Sequence, residues 1–137
     1  MNEARFKWFI IVWWLSAILG IIATFIEDRF LPAELISFRT AQANSEPTVF
    51  DWIGITLAVP LFIALIIGSI GLYRLKAWGK MTFVVVNVLG LTLSPFFGPS
   101  VMSELTSGVW YFHSLLTGGL LFSLFLPPMN EVFAKGS

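Results

Sequence analysis

Residues 52–73 read WIGITLAVPLFIALIIGSIGLY, an apolar stretch with no charged side chain between Trp52 and Tyr73. A helix needs about 20 mostly apolar residues to cross the ~30 Å hydrocarbon core of a bilayer. This stretch has that length, and a proline such as Pro60 is tolerated in a membrane helix because neighbouring groups satisfy the freed backbone. The sequence therefore predicts a membrane-spanning helix here, and the rest of the fold follows outward from it.

Three further apolar stretches accompany this one, and together the predicted spans cover residues 6–26, 52–73, 81–97 and 106–126. The first is longer than the 7–15 apolar residues of a signal peptide, so we expect it to be retained. Of the 137 residues, 57% are hydrophobic and 12% are charged, with a mean hydropathy of +0.86. A soluble domain carries about 25% charged residues. These features predict a single all-α membrane domain, residues 1–137, folded as a four-helix transmembrane bundle.

The charges between the spans are sorted by loop. The segment RLKAWGK joins the second and third spans and holds Arg74, Lys76 and Lys80 without any acidic residue. With the two termini, that side of the chain carries six of the eight Lys and Arg residues. The positive-inside rule makes this side cytoplasmic, so both termini are expected inside, with Trp78 at the membrane interface. Small size, charge sorting and the absence of cysteine suit a bacterial inner membrane.

The first outer loop, residues 27–51, has a pattern of its own. Pro32 suits the first turn of a helix, and Leu31, Leu35 and Phe38 recur at i, i+4 and i+7. This spacing predicts a short amphipathic helix of about ten residues lying at the membrane interface. Such a helix either covers the outer ends of the bundle as a lid or forms a docking surface for a partner.

Polar residues form a stripe on each of the last two spans. Asn87 and Ser94 lie seven residues apart on one helix face, and His113 and Thr117 lie four apart on another. Because the loop between these spans is short, they are expected to be antiparallel neighbours. At a rise of about 1.5 Å per residue, the depths predict a polar ladder that pairs Ser94 with His113 and Asn87 with Thr117.

His113 is the only histidine of the chain. Pro60 removes the donor that would otherwise serve the carbonyl of Thr56, and His113 is one candidate to replace it; an ordinary proline kink is the other interpretation. An ionisable group inside a membrane is a functional candidate by default. Because the last three spans embed no Asp, Glu or Lys, a structural interhelical role is preferred over a ligand or gating contact, and over proton transfer.

Close helix packing in lipid depends on small residues and interhelical hydrogen bonds. Pairs of small residues four apart occur in every span and license a compact bundle: Ser16/Gly20, Gly54/Ala58, Ala64/Gly68, Gly90/Ser94 and Ser114/Gly118.

The sequence contains few residues and no motif of the kinds that metal binding or catalysis requires. With no cysteine, one histidine and zero net charge, the sequence predicts no metal site, no cofactor and no nucleic-acid partner. No nucleotide-binding or hydrolase motif occurs, and Ser100 and Ser103 are ordinary turn and cap residues, although His113 could be imagined as their base. No catalytic residue is expected.

Two functions remain from the sequence. The first is a non-catalytic accessory or organising subunit that binds other membrane proteins, the lipid bilayer or further copies of itself. The alternative is a small oligomeric transporter, channel or sensor with a polar site between the third and fourth spans.

Overall fold

The computed structural model describes residues 2–46, 48–94 and 101–135. Within these ranges the chain is helical and contains no strand, which confirms the predicted all-α class. A 3₁₀ turn, Glu27–Arg29, follows the first helix. The α-helices in chain order are α1 (Glu3–Phe25), α2 (Ala33–Ala43), α3 (Val49–Tyr73), α4 (Ala77–Leu93), α5 (Glu104–Ser123) and α6 (Met129–Lys135).

Among the described residues, two helices are long and apolar enough to cross a membrane: α1 and the stretch Trp52–Tyr73 of α3. In their most apolar 18 residues, 28% and 17% of the stretch is buried. The core helix of a soluble protein would instead be mostly buried, so these helices present apolar side chains outward. α4 is apolar but has 17 residues, and α5 is long enough at 20 residues but less apolar. Length and composition therefore support two of the four predicted spans.

The contacts group the chain into two compact units. One comprises Met1–Ile10, Pro47–Gly98 and Leu120–Ser137, and the other comprises Ile11–Glu46 and Pro99–Gly119. Each unit is described by itself below.

The first unit is centred on the hairpin of α3 and α4. The turn between them ends α3 in a Schellman motif, because Leu75 N–H donates to the carbonyl of Leu72 and Lys76 N–H to that of Gly71, both at 2.9 Å. Leu75 adopts the left-handed conformation that this motif requires, with φ of 56°. The tight turn predicted from RLKAWGK is therefore present.

Glycine allows the two helices of the hairpin to touch. A Cβ added to Gly79 would lie 2.3 Å from the carbonyl carbon of Gly71 and 2.5 Å from the amide nitrogen of Leu72. Since both atoms are backbone, no side-chain rotation could relieve the clash. A Cβ on Gly68 would lie 3.1 Å from the amide nitrogen of Phe83, so close approach extends one turn further along α3.

The first unit also contains α6, which the sequence did not predict. Met129 and Phe133 of this helix are buried, and the ring of Phe133 meets that of Phe6 edge-to-face with centroids 5.7 Å apart. Lys80 Nζ donates to Asn130 Oδ1 at 2.8 Å and lies 4.7 Å from the ring centroid of Phe125. The C-terminal segment is thus folded rather than a plain tail.

The second unit contains the predicted short outer helix as α2. Pro32 is its N-cap, one position before the first turn in which it was expected. The three apolar residues predicted to share one helix face differ in burial. Leu31 precedes the helix and is buried, whereas Leu35 and Phe38 are 40% and 53% exposed. No residue of α2 itself is buried, so the helix keeps its apolar side chains available on its surface.

Candidate functional site

The strongest cluster of polar side chains lies in the second unit, between α1 and α5. Its centre is His113, whose Nδ1 lies 2.8 Å from Ser16 Oγ. The imidazole is flanked by two indoles: the ring centroid of Trp13 is 5.1 Å away, and that of Trp110 is 5.6 Å away at 90°. The histidine is therefore partly buried and held on three sides.

Three more hydrogen bonds extend this cluster along the helices. Trp13 Nε1 donates to Thr117 Oγ1 at 2.7 Å, and Thr117 Oγ1 donates to the carbonyl of His113 at 2.9 Å. On α1, Ser16 Oγ donates to the carbonyl of Trp13 at 2.7 Å. The positions follow helix periodicity, since residues three and four apart share a face. We call the six residues Trp13, Ser16, Gly20, Trp110, His113 and Thr117 the α1–α5 seam.

Gly20 sets how closely the helices of the seam approach. A Cβ at this position would lie 3.1 Å from two atoms of the Trp110 ring. That distance is tight but faces a side chain rather than backbone. The pair Ser16/Gly20, noted in the sequence, is therefore an interhelical contact face, whereas a Cβ on Gly90 or Gly118 would meet nothing within 4 Å.

The hydrogen bonds of the seam are linked to the tautomer of His113. If the single hydroxyl proton of Ser16 is donated to the Trp13 carbonyl, His113 Nδ1 carries a proton and donates to Ser16 Oγ; if it is donated to Nδ1, that nitrogen accepts. A neutral imidazole can satisfy either arrangement. The side-chain group bonded to the ring is a hydroxyl rather than a carboxylate, so the described contacts favour a hydrogen-bonding role over a proton relay.

A second polar cluster of the same unit is centred on Glu27. Glu27 is buried, with 3% of the residue exposed. Glu27 Oε2 accepts from Arg39 Nη1 at 3.1 Å, and Glu27 Oε1 accepts from the Ser103 amide at 2.7 Å. Arg39 also reaches Asp28 at 3.2 Å. Glu27 therefore ties α2 to the start of α5.

Ser103 is explained by the same cluster. Its Oγ accepts from the amide of Thr106 at 3.3 Å, which is the geometry of an N-cap for α5. Thr106 Oγ1 in turn donates to the carbonyl of Ala23 at 3.4 Å. His113 is ten residues further along α5, or about 15 Å, so it lies out of reach as a base for Ser103. Ser100, the other serine considered, lies outside the described residues.

A shallow cavity of about 360 Å³ opens beside the seam. Ser16 and Glu104 are its polar lining residues, and the remainder, including Leu19, Val109 and Phe112, is apolar apart from a glycine. It could take a small apolar molecule, with the exposed Glu104 carboxylate at its border.

The hydrogen bonds differ from the polar ladder predicted from the sequence. Asn87 Nδ2 donates to the carbonyl of Phe83 at 2.8 Å, and Ser94 Oγ donates to that of Leu91 at 3.0 Å. His113 and Thr117 form their side-chain hydrogen bonds to α1. The physical reason is that short polar side chains in a helix bond readily to carbonyls three or four residues earlier.

The remaining predicted site residues lie in the first unit. Pro60 is inside α3, which continues through it, and both Thr56 and Pro60 are exposed. The hydrogen bond observed for the His113 ring is to Ser16 rather than to the carbonyl of Thr56. In the hairpin, Arg74 and Lys76 are exposed, Trp78 is 49% exposed and lies against Gly71, and Lys80 is held by Asn130.

In comparisons with known proteins, no family model, no curated protein and no solved structure matches this chain. The function is therefore argued from the residues alone. Within the described ranges, no group of three or more His, Cys, Asp and Glu residues is arranged to hold a metal ion.

Proposed function

We propose that this chain is an integral membrane protein with four spans, about 6–26, 52–73, 81–97 and 106–126, in a single membrane domain. The support is strongest for the first two, because α1 and α3 combine sufficient length with apolar side chains that are mostly not buried. α4 and α5 lie at the positions of the other two spans. In a bundle, a shorter or less apolar helix is accommodated when its neighbours cover its polar face.

The proposed orientation has both termini in the cytoplasm of a bacterium, with the chain in the inner membrane. The basic hairpin supports it, since Arg74, Lys76 and Lys80 cluster in one short loop. Loops of this kind remain on the cytoplasmic side. α2 and the Glu27 cluster then lie on the outer side.

Within the membrane, the function best supported is that of a non-catalytic accessory or organising subunit that binds other membrane proteins or lipids. One observation carries this proposal: the buried polar side chains of the described residues are satisfied by bonds within the chain. No buried side-chain nitrogen or oxygen in the described residues lacks a hydrogen-bond partner. Large apolar side chains, by contrast, are exposed along α1 and α3, such as Leu19 and Phe62 at 57% and 54%.

A second candidate function is a small oligomeric transporter, channel or sensor. The observation that favours it is the 360 Å³ cavity beside Ser16, the residue that holds the His113 ring. A ligand in that cavity would contact the seam without a helix having to move. This function differs from the first because it requires His113 to affect flux or ligand binding while the fold survives.

The orientation is tested by labelling single cysteines, which the absence of native cysteine makes straightforward. Ser45→Cys in the outer loop and Glu131→Cys in the C-terminal segment both replace exposed residues. A membrane-impermeant maleimide should label Ser45→Cys in intact spheroplasts and Glu131→Cys only after permeabilisation. The reverse pattern, or equal labelling of both, would overturn the proposed orientation.

The subunit role is tested by extracting the tagged protein in mild detergent and determining the native mass and composition of the particle. A defined heteromeric assembly supports the accessory role, and a solitary monomer contradicts it. Leu35→Ser with Phe38→Ser should release the partner if α2 is the docking surface. If α2 is only a lid, the assembly should survive this double substitution.

For the transport or sensing alternative, the variant is His113→Asn, because an amide can replace the hydrogen bond of Nδ1 to Ser16. Purified variant and wild-type proteins would be compared in proteoliposomes for leakage of small ions and solutes. A changed flux with the mass of the particle preserved would favour transport. Equal flux would remove this alternative.

A further inference from the structure

The first unit carries a large apolar groove that the proposed function leaves unexplained. It has a volume of about 730 Å³ and lies between α3 and α4. α3 contributes residues between Leu57 and Ala64, and α4 contributes residues between Met81 and Leu93. Among the described residues that line the groove, Thr82 is the only one with a side-chain hydroxyl, so the groove suits a hydrocarbon occupant.

The groove has a length that matches one leaflet of a bilayer. From Met81 to Leu93, α4 rises by about 18 Å at 1.5 Å per residue. Half of the ~30 Å hydrocarbon core is about 15 Å. An acyl chain of one leaflet could therefore lie along the whole groove, whereas a membrane-spanning partner helix would extend well beyond it.

The end of the groove nearest the turn between α3 and α4 carries basic and aromatic residues. The Trp78 ring lies against Gly71 near this end, at the level where indoles prefer the membrane interface. Just beyond it, Arg74 and Lys76 have exposed side chains, and neither forms an ion pair with an acidic residue in the described part of the chain. Lys80, by contrast, is committed to Asn130 and Phe125.

We propose that the α3–α4 groove binds one anionic phospholipid of the cytoplasmic leaflet, with an acyl chain along the groove and its phosphate at Arg74 and Lys76. This rests on the proposed orientation, which puts the hairpin in the cytoplasm. Clustered basic residues next to a membrane helix attract anionic headgroups with about 1 kcal/mol per residue. Charge complementarity thus selects an anionic headgroup. Apolar contact between the acyl chain and the groove adds to the affinity.

The proposal is tested by native mass spectrometry of the purified full chain, titrated with palmitoyl-oleoyl phosphatidylglycerol or with the phosphatidylcholine of the same acyl chains. One phosphatidylglycerol should bind at least tenfold more tightly than phosphatidylcholine. Equal affinity for the two lipids would overturn the proposal, as would a protein found occupying the groove in the native particle.

Substitutions in the hairpin separate this site from general attraction to the surface. Arg74→Gln should weaken phosphatidylglycerol binding about fivefold, and Arg74→Gln with Lys76→Gln about 30-fold, with about 1 kcal/mol for each basic residue. Arg5→Gln is the matched control, since it removes an exposed arginine on the same proposed side. An equal loss with Arg5→Gln would contradict a defined site.

The groove itself is tested with the same exchange at two half-buried alanines of α3. Ala64 lines the groove and Ala58 does not. Ala64→Phe should weaken phosphatidylglycerol binding more than tenfold. Ala58→Phe should leave the affinity within twofold of that of the wild-type protein. Equal effects of the two substitutions would show that the groove is not the acyl-chain site.

The failure of this proposal is distinguishable from failure of the proposed orientation. The labelling of Ser45→Cys and Glu131→Cys reports the orientation without involving any lipid headgroup. If the labelling is as proposed and phosphatidylglycerol is not preferred, the lipid site alone is overturned. If the labelling is reversed, the proposed orientation is overturned and the leaflet assignment with it.

Discussion

The α3–α4 hairpin and the α1–α5 seam hold pairs of helices together by different means. In the hairpin, backbone meets backbone, since Gly71 and Gly79 leave no room for a Cβ between them. In the seam, side chains fill the space, and Ser16 and His113 join the helices by a hydrogen bond of 2.8 Å. The hairpin therefore depends on the absence of side chains, and the seam depends on their presence.

In the proposed membrane-embedded chain this difference matters, because lipid does not drive helices together as water does. Association in a bilayer relies on close van der Waals contact and on interhelical hydrogen bonds, and double-mutant cycles assign the latter about 0.6 kcal/mol on average. A backbone contact tolerates almost no substitution, whereas a hydrogen-bonded cluster loses its energy in small steps. A single substitution at the hairpin contact should thus cause a large loss of stability, whereas single substitutions in the seam should cause smaller losses.

The largest expected effect comes from Gly79→Ala in the hairpin. The added Cβ would lie 2.3 Å from backbone of α3, so the helices must separate, and the free energy of unfolding should fall by about 3 kcal/mol. Gly90→Ala is the control on the same helix, because its Cβ would meet nothing within 4 Å. It should be neutral or stabilising by up to about 1 kcal/mol. Equilibrium unfolding in mixed micelles measures both.

If Gly79→Ala and Gly90→Ala were equally stable, the close backbone contact would not be what holds the hairpin. The hairpin would then be no more sensitive to an added side chain than an uncrowded helix position. Lipid binding in the groove gives a second readout, since separation of α3 from α4 should also weaken it.

A smaller loss is expected from His113→Ala in the seam. The substitution removes a ring packed against Trp13 and Trp110 together with the bond to Ser16, so stability should fall by about 2 kcal/mol. Ser114→Ala is the control on the next position, because that exposed hydroxyl donates to the carbonyl of Trp110 in its own helix. Its effect should be close to zero.

The hydrogen bond alone is measured by a double-mutant cycle of Ser16→Ala and His113→Ala. Coupling between the two substitutions should be about 0.6 kcal/mol and at most about 1.7 kcal/mol. Additive effects would mean that the ring acts through packing only. In that case the hydrogen bond between Ser16 and His113 would not contribute to the stability of the seam.

Much of the helical layout could be predicted from the sequence, because long apolar stretches leave few alternatives. The predicted span 52–73 lies within α3 and ends with it at Tyr73, and the predicted outer helix appears as α2. α6 was missed because its seven residues follow two prolines and carry too weak a pattern. Gly71 and Gly79 were also missed, since they lie on different helices and share no local spacing that a sequence reveals.

The partners of His113 could not be predicted in the same way. Helix periodicity identifies the face on which a residue lies, but it does not identify which neighbouring helix covers that face. The short loop between the last two spans favoured α4 as the partner, whereas the hydrogen bonds come from Trp13 and Ser16 of α1. Ser16/Gly20 was the available signal, but similar pairs occurred in every span.

A further expected difference separates the two carboxylates that share Arg39, those of Glu27 and Asp28. Glu27 is almost fully buried and also accepts from the Ser103 amide, while the Asp28 side chain is 65% exposed. Glu27→Gln keeps an acceptor for the amide but loses the charge facing Arg39, so it should destabilise α2 by about 1 kcal/mol. Asp28→Asn should cost a few tenths, about 0.3 kcal/mol, because water screens the exposed pair.

Hydrogen exchange of the α2 amides measures this difference directly. Glu27→Gln should speed exchange across Ala33–Ala43 about fivefold, which corresponds to about 1 kcal/mol, and Asp28→Asn should speed it less than twofold. Equal exchange in both variants would show that burial of Glu27 does not hold the outer helix. In that case Glu27 would not stabilise α2. If α2 is a docking surface, its partner would then have to stabilise the helix.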